Sequence, residues 1–162
     1  MQQKQHIAMK TFHFLIAGSL LLAALCGTSC TESDSEQQLK ERATTFATLY
    51  FNWQFSKALS FCTPESQKWL RYAASQVCQN DIDTLRSKEV AATVHVAHIQ
   101  YAESDTLATV RLLVSDCWYM GNSDMQGTYL PQAEFTLPAV CRHGQWLIKM
   151  EGLPRNEKKS RD

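Results

Sequence analysis

The sequence predicts an α+β fold in which helices come first and an antiparallel sheet follows. Two observations predict it. Between Leu39 and Val77, apolar residues recur at helical spacing, and from residue 91 onward the chain changes to extended runs with alternating polarity. Because the helices precede the strands instead of alternating with them, we expect the helices to lie together on one face of about four long strands.

Capping signals locate the predicted helices. Residues 33–36 read Ser-Asp-Ser-Glu, which is a capping box, and the first helix is expected to continue to about Trp53. Residues 55–61 predict a short helical continuation. Thr63 and Pro64 form a second start signal, with Thr63 as the cap and Pro64 in the first turn. A last helical turn is predicted at residues 82–88.

Two tight turns organise the predicted strands into hairpins. Ser104-Asp105 separates the first pair and His143-Gly144 the second, and both dipeptides are typical of turns. Residues 121–127 predict a polar loop between the hairpins. The predicted strands are residues 91–102, 106–120, 128–142 and 145–151.

The first thirty residues have the three parts of a secretory signal. Lys4 and Lys10 give a positive start, residues 12–25 are nearly all apolar, and the small residues 27–29 follow. The apolar run is shorter than the roughly 20 residues that a membrane-spanning helix needs. Met9 is an equally good start for such a signal. We therefore expect residues 1–29 to be a signal peptide.

The small residues stand directly before Cys30, and this arrangement resembles the lipobox of bacterial lipoproteins. The family pattern usually has leucine three positions before the cysteine, where this chain has Gly27. The resemblance implies that Cys30 carries a diacylglycerol, that residues 30–35 form a tether, and that the protein is anchored to a membrane of the cell envelope, facing the periplasm or the outside. An ordinary signal cleaved near Ser29 is the alternative, and Cys26 is the competing cysteine.

Composition bounds the size of the domain and gives no sign of a nucleic-acid partner. Removal of residues 1–29 takes away two lysines and no acidic residue, which leaves 14 basic against 16 acidic residues. Nothing in this charge balance predicts nucleic-acid binding. The remaining length suits a single domain, which we place at residues 36–152. Residues 153–162 are expected to be a frayed tail, because most of them are charged or polar.

Four cysteines remain in the predicted domain, and an even number in an oxidising compartment favours at least one disulfide. A continuous second helix would hold Cys62 and Cys78 about 24 Å apart, whereas a disulfide needs Cα atoms within about 7 Å. That pairing is therefore disfavoured, and buried free thiols are the alternative. The disulfide candidates are Cys62, Cys78, Cys117 and Cys141.

The chain resembles the nuclear transport factor 2-like superfamily, whose members include ketosteroid isomerases. A long first helix leads into residues 55–61, a capped turn follows at residues 63–66, and the chain closes on a hairpin with Gly144 and Trp146. The resemblance covers nearly all of residues 36–151. It implies a curved sheet wrapped around the helices as a cone with a cavity, as in small bacterial envelope lipoproteins of unknown function.

Strand alternation sorts residues onto faces of the sheet. A two-residue turn at Ser104-Asp105 gives cross-strand partners whose numbers sum to 209, which places His95 and Tyr101 on the apolar face. Asp116 falls on the same face by parity. A bulge near Cys117 is the alternative, and it would turn Asp116 outward and Cys117 inward. Candidate pocket residues are His95, Asp116, Tyr101 and Trp118.

These observations favour a non-catalytic domain that binds a small apolar ligand or an envelope protein. A His95–Asp116 pair acting as a general base in an isomerase or hydrolase is one alternative. A homodimer formed through the outer sheet face is another. The histidines and cysteines lack the spacing of a zinc site, and no phosphate-binding loop occurs. We therefore predict no metal, no cofactor and no catalytic residue.

Overall fold

The computed structural model describes residues 31–120 and 127–157. The chain divides into two compact units, Met1–Ser35 and Glu36–Asp162. The predicted signal peptide and Cys30 lie outside the described residues, as do most of the predicted loop, residues 121–126, and the end of the tail, residues 158–162.

Four α helices occupy the first half of the described chain. They are α1 (Thr31–Phe51), α2 (Phe55–Ala58), α3 (Gln67–Gln76) and α4 (Gln79–Ser87). Helix α1 begins two residues before the predicted capping box, so Ser33 is not its cap. The start signal at Pro64 opens a 3-10 turn, Pro64–Ser66, that leads into α3. The predicted last turn is a full helix, since α4 has 9 residues.

The second half is a four-stranded antiparallel sheet in the order β1-β2-β3-β4. The strands are β1 (Thr93–Tyr101), β2 (Leu107–Tyr119), β3 (Thr128–Arg142) and β4 (Gln145–Ile148). The α+β class is confirmed. The sheet is a simple meander because each strand pairs with the next one along the chain.

Helix α1 packs against the sheet through an apolar stripe. Its fully buried residues are Leu39, Ala43, Phe46 and Ala47, which recur every three or four positions. Polar contacts fix the helix to β4: the backbone N–H of Trp146 donates to Gln38 Oε1 at 3.1 Å, and Arg42 Nε donates to the carbonyl of Trp146. The core therefore lies between α1 and one face of the sheet.

The register between β1 and β2 differs from the prediction in its first half. From His98 to Tyr101, partner numbers sum to 209 as expected, but a bulge between Val96 and His98 shifts the earlier residues by one. Val94 and Val96 therefore face the core, and His95 lies opposite Leu113 on the outer face. Placing His95 on the apolar face was wrong, because one inserted residue reverses every side chain before it.

In β2 and β3 the alternation of inward and outward side chains is interrupted at the same place. In β2, Val114 is buried and so is Cys117, although a regular strand would place them on opposite faces. Asp116 lies between them with φ 55°, in the left-handed region. The matching position of β3 is Pro131, and neither residue has a strand partner, although pairing continues on both sides. Partner numbers sum to 247 on both sides of Asp116, so no residue is inserted and this position is not the bulge that was considered. Cys117 nevertheless points inward, and Asp116 does not lie in the core.

The closing hairpin follows its turn signal. His143 and Gly144 have φ of 53° and 75°, as a type I′ turn requires, and Cys141 pairs with Trp146 as predicted. The predicted frayed tail begins too early, however. Pro154 is buried, its carbonyl accepts a hydrogen bond from Tyr119 Oη at 3.1 Å, and Asn156 forms a β-bridge with Phe135. The ordered domain thus extends to at least Asn156, because the segment lies alongside β3.

Candidate functional site

The end of α1 positions the first wall of a pocket. The N–H of Gln54 donates to the carbonyl of Leu49 at 2.8 Å, and that of Trp53 donates to Tyr50 at 3.0 Å. These two bonds form a Schellman motif, whose left-handed position is usually glycine. Here it is Trp53, with φ 59°. A bulky residue in this conformation costs about 1–2 kcal/mol, so the packing around its side chain has to offset that cost.

The Trp53 side chain is fixed by two contacts. Its indole N–H donates to the carbonyl of Trp118 at 3.1 Å. Its ring stacks on Phe55, with centroids 6.5 Å apart and an angle of 23° between planes. The ring is half-buried, so one part of it packs inward and the rest faces the pocket.

The opposite wall comes from the junction of α3 and α4. Val77 is extended, with φ −68° and ψ 122°, and it ends α3 after 10 residues. Cys78 then caps α4, whose side chains Ile82 and Leu85 remain half-buried. The break turns the chain, so that the apolar sides of two short helices border the same space.

Together these elements border an open pocket of about 370 Å³. Ligand pockets in proteins range from about 300 to 1,000 Å³, so this volume suits a small molecule. All but one of the lining side chains are apolar, and the exception is Arg86 in the last turn of α4. The lining residues are Trp53, Phe55, Ala74, Val77, Ile82, Leu85 and Arg86.

Asp81 is a buried acidic residue that holds α4 in place. It is 2% exposed, and its Oδ2 accepts the N–H of Cys78 at 3.0 Å in a capping box. Burial alone would raise the pKa of this carboxyl. The backbone N–H and thiol of Cys78, the Trp118 indole and the Gly127 backbone outweigh that effect and hold the pKa below its ordinary value. Neither Asp81 Oδ1 nor the Trp118 indole N–H, both of them buried, forms a hydrogen bond of normal geometry. The site therefore favours the carboxylate.

We expect this carboxylate to make the stability of the domain depend on acidic pH. Its pKa is lowered in the fold, so its contribution is complete above the unfolded pKa of about 3.9 and is lost as pH falls through the folded pKa. Relative to Asp81→Asn, the wild-type protein should lose stability below about pH 4. Thermal unfolding of both proteins between about pH 6 and pH 2 measures the difference. Asp83→Asn, at an exposed position of α4, is the control. Parallel curves for the wild type and Asp81→Asn would contradict this account.

The structure does not bring His95 and Asp116 together as a catalytic pair. His95 is exposed on the outer face of β1. The carboxylate of Asp116 instead accepts a hydrogen bond from Tyr129 Oη at 2.6 Å, which raises the pKa of Tyr129. Lys88 Nζ donates to the backbone carbonyl of Asp116. The alternative in which His95 and Asp116 act as a general base therefore lacks the hydrogen bond between these two residues.

The other two candidate residues, Tyr101 and Trp118, do not line the apolar pocket. Tyr101 lies at the far end of β1, where its ring packs edge-on against Trp146 with centroids 6.0 Å apart. Trp118 lies behind the pocket, since its carbonyl holds the indole of Trp53 and its own ring packs against Gly127. A Cβ at Gly127 would lie 2.0 Å from Trp118 Nε1, so only glycine fits there.

All four cysteines of the domain are free thiols. The predicted disulfide is therefore absent from the structure. Cys62 forms a bridge with Ile148 on one side of β4, and Cys141 pairs with Trp146 from the other side. Two strand spacings of about 4.8 Å exceed the reach of a disulfide. Cys117 is fully buried, and this burial raises the pKa of its thiol to about 11.

Neither a metal site nor a membrane span occurs in the part of the chain that the structure describes. Within residues 31–120 and 127–157, no group of three His, Cys, Asp or Glu side chains is placed to share a metal ion. No helix in these ranges is both long enough and apolar enough to span a bilayer.

Sequence reasoning missed the pocket residues Trp53 and Arg86. The pattern of α4 does show Ile82 and Leu85 at neighbouring positions of one helix face, but it cannot show that this face stays partly uncovered.

Comparison of the chain with protein-family models, with curated proteins and with solved structures finds no match. The interpretation of the site therefore depends on its geometry.

Proposed function

We propose that this protein is a lipid-anchored component of a bacterial cell envelope whose domain binds a small apolar ligand without catalysing a reaction. The anchor part of the proposal depends on the signal-like leader and on Cys30, where the sequence resembles a lipobox. The binding part depends on the pocket between α2, α3 and α4.

The observation that carries the binding proposal is the apolar wall of this pocket. Trp53, Val77, Ile82 and Leu85 are half-buried side chains from three parts of the chain that border the same space of about 370 Å³. A concave apolar surface of this size is the usual form of a small-molecule site. Removing such surface from water contributes about 25 cal/mol per Å², so a ligand that fills the pocket gains affinity from it.

We also propose that the domain is a nuclear transport factor 2-like fold. The arrangement of helices on a four-stranded antiparallel meander supports this, as does the closing hairpin at His143-Gly144. The proposed general-base pair is not formed, because the Asp116 carboxylate accepts a hydrogen bond from Tyr129 and His95 is exposed on the outer face of β1.

A neutral apolar dye tests the binding proposal. We expect Nile red to bind the soluble domain, residues 31–162, with one molecule per chain and a rise in fluorescence. Leu85→Gln places a polar amide in the pocket wall and should weaken this binding about tenfold, because it removes apolar contact and leaves the amide without a partner. Fluorescence titration measures the dissociation constant of each protein.

Tyr72→Gln is the matched control. Tyr72 is 47% exposed on α3 but does not line the pocket, so this variant should bind the dye as the wild type does. Circular dichroism establishes that both variants keep their helices. Absence of dye binding to the folded wild-type domain, or equal binding by Leu85→Gln, would disprove the proposed site.

A further inference from the structure

The one charged side chain among the pocket-lining residues is Arg86. It lies in the last turn of α4 and is exposed at the rim of the pocket. In the described part of the chain, no carboxylate or carbonyl accepts a hydrogen bond from its guanidinium. The rim therefore presents a planar donor group with a full positive charge beside an apolar wall.

The nearest acidic residues along α4 have other partners. Asp81 is buried and accepts the N–H of Cys78, and Asp83 Oδ1 accepts the side-chain amide of Gln79 at 2.9 Å. Among the lining side chains, the guanidinium of Arg86 is the one charge, and its sign favours an anion beside it.

From this arrangement we infer that the ligand is a single-chain amphiphile whose polar end is a carboxylate, a class that includes free fatty acids. This inference rests on the proposed function and specifies its ligand. The apolar chain lies between Trp53 and the side chains of Ile82 and Leu85, and the carboxylate binds Arg86. A guanidinium matches a carboxylate with two parallel hydrogen bonds, which makes this the preferred pairing for an arginine.

The volume of the pocket suits a single alkyl chain. At about 370 Å³ it lies near the lower limit for ligand sites. A diacyl phospholipid is far larger than this space, whereas one acyl chain of medium length fits it.

Three probes with the same alkyl chain separate charge from apolar contact. Decanoate, decanol and decylamine differ only in the polar end, and each is titrated against the soluble domain below its micelle concentration by displacement of Nile red. We expect decanoate to bind most tightly and decylamine most weakly. Arg86→Ala should weaken decanoate binding about tenfold and leave decanol binding unchanged, since a charge-assisted bond is lost. Arg86→Lys should retain part of the affinity.

Arg71→Ala is the control for loss of positive charge alone. Arg71 is exposed on α3, donates to Gln67 and does not line the pocket, so its removal should leave all three affinities unchanged. Equal binding of decanoate and decanol, or equal weakening of both by Arg86→Ala, would overturn the carboxylate inference and leave the apolar site standing. Failure of all three probes and of the dye would remove the proposed function itself.

Discussion

Replacement of Phe135 by alanine is expected to lower the free energy of unfolding by about 3–5 kcal/mol. Phe135 is fully buried in the middle of β3. The centroid of its ring lies 4.5 Å from the ring centroid of Phe51 at the end of α1 and 5.4 Å from that of Tyr119 in β2. Its backbone also forms the bridge with Asn156. One side chain thus joins the first helix, the sheet and the C-terminal segment.

The loss should be a large fraction of the stability of a domain of this size, which is typically about 5–15 kcal/mol. The alanine leaves a cavity that the surrounding aromatic rings cannot fill, so the loss exceeds the transfer energy of the removed atoms. Urea unfolding followed by tryptophan fluorescence measures it. Glu134→Ala, one residue away and half-buried on the other face, should change stability by less than about 1 kcal/mol. Equal losses in the two variants would mean that the face assignment of β3 is wrong.

The parts of the fold that the sequence predicts are those with a strong local signal. The stripe through Leu39 and Phe46 predicts the buried face of α1, and those residues are fully buried. His143-Gly144 specifies both the turn and the register of the last hairpin, because only residues that accept positive φ allow such a short connection. In each case the local preference and the tertiary packing agree.

The bulge in β1 has no comparable signal. Val94 and Val96 are apolar, but so are Ala97 and Ile99, so the run supports either choice of buried face. The opposing strand decides between them, because Val114 and Leu112 need partners on the core side. Such a decision depends on contacts far apart in the sequence. For the same reason, residue spacing alone could not determine on which face of the sheet His95 lies. It therefore could not decide whether His95 and Asp116 form a catalytic pair.

The pocket was unpredictable for a different reason. A tryptophan at the left-handed end of a helix contradicts the preference for glycine there, so the sequence predicts the end of α1 near Trp53 but not the left-handed conformation of that residue. Binding sites often break local rules in this way, since the constraint that keeps the residue is functional or tertiary. The same applies to Arg86, which reads in the sequence as an ordinary basic residue near the end of a helix.

Replacement of Cys30 by alanine is expected to abolish lipid attachment completely. In the proposed lipoprotein, the thiol of Cys30 carries the acyl chains, and each buried methylene contributes about 0.8 kcal/mol to membrane binding. Two chains hold a protein firmly, whereas the apolar run of the leader, residues 12–25, is shorter than a membrane-spanning helix needs. Metabolic labelling with a radioactive fatty acid in the native host measures attachment directly, and it distinguishes an acylated protein from one that is retained by an uncleaved leader.

Cys26→Ala is the matched control, because Cys26 is the other cysteine in the leader and is preceded by the large residue Leu25. Its removal should leave labelling unchanged and the mature chain beginning at Cys30. If Cys30→Ala retains the label and Cys26→Ala loses it, the anchor lies at residue 26. If neither variant changes the labelling, the lipid is not attached at Cys26 or Cys30. The proposed localisation to the cell envelope, the predicted start of the mature chain and the membrane as a partner would then all be wrong. The pocket and its ligand would remain open to test in the soluble domain, because the described residues that form the pocket all lie after residue 52.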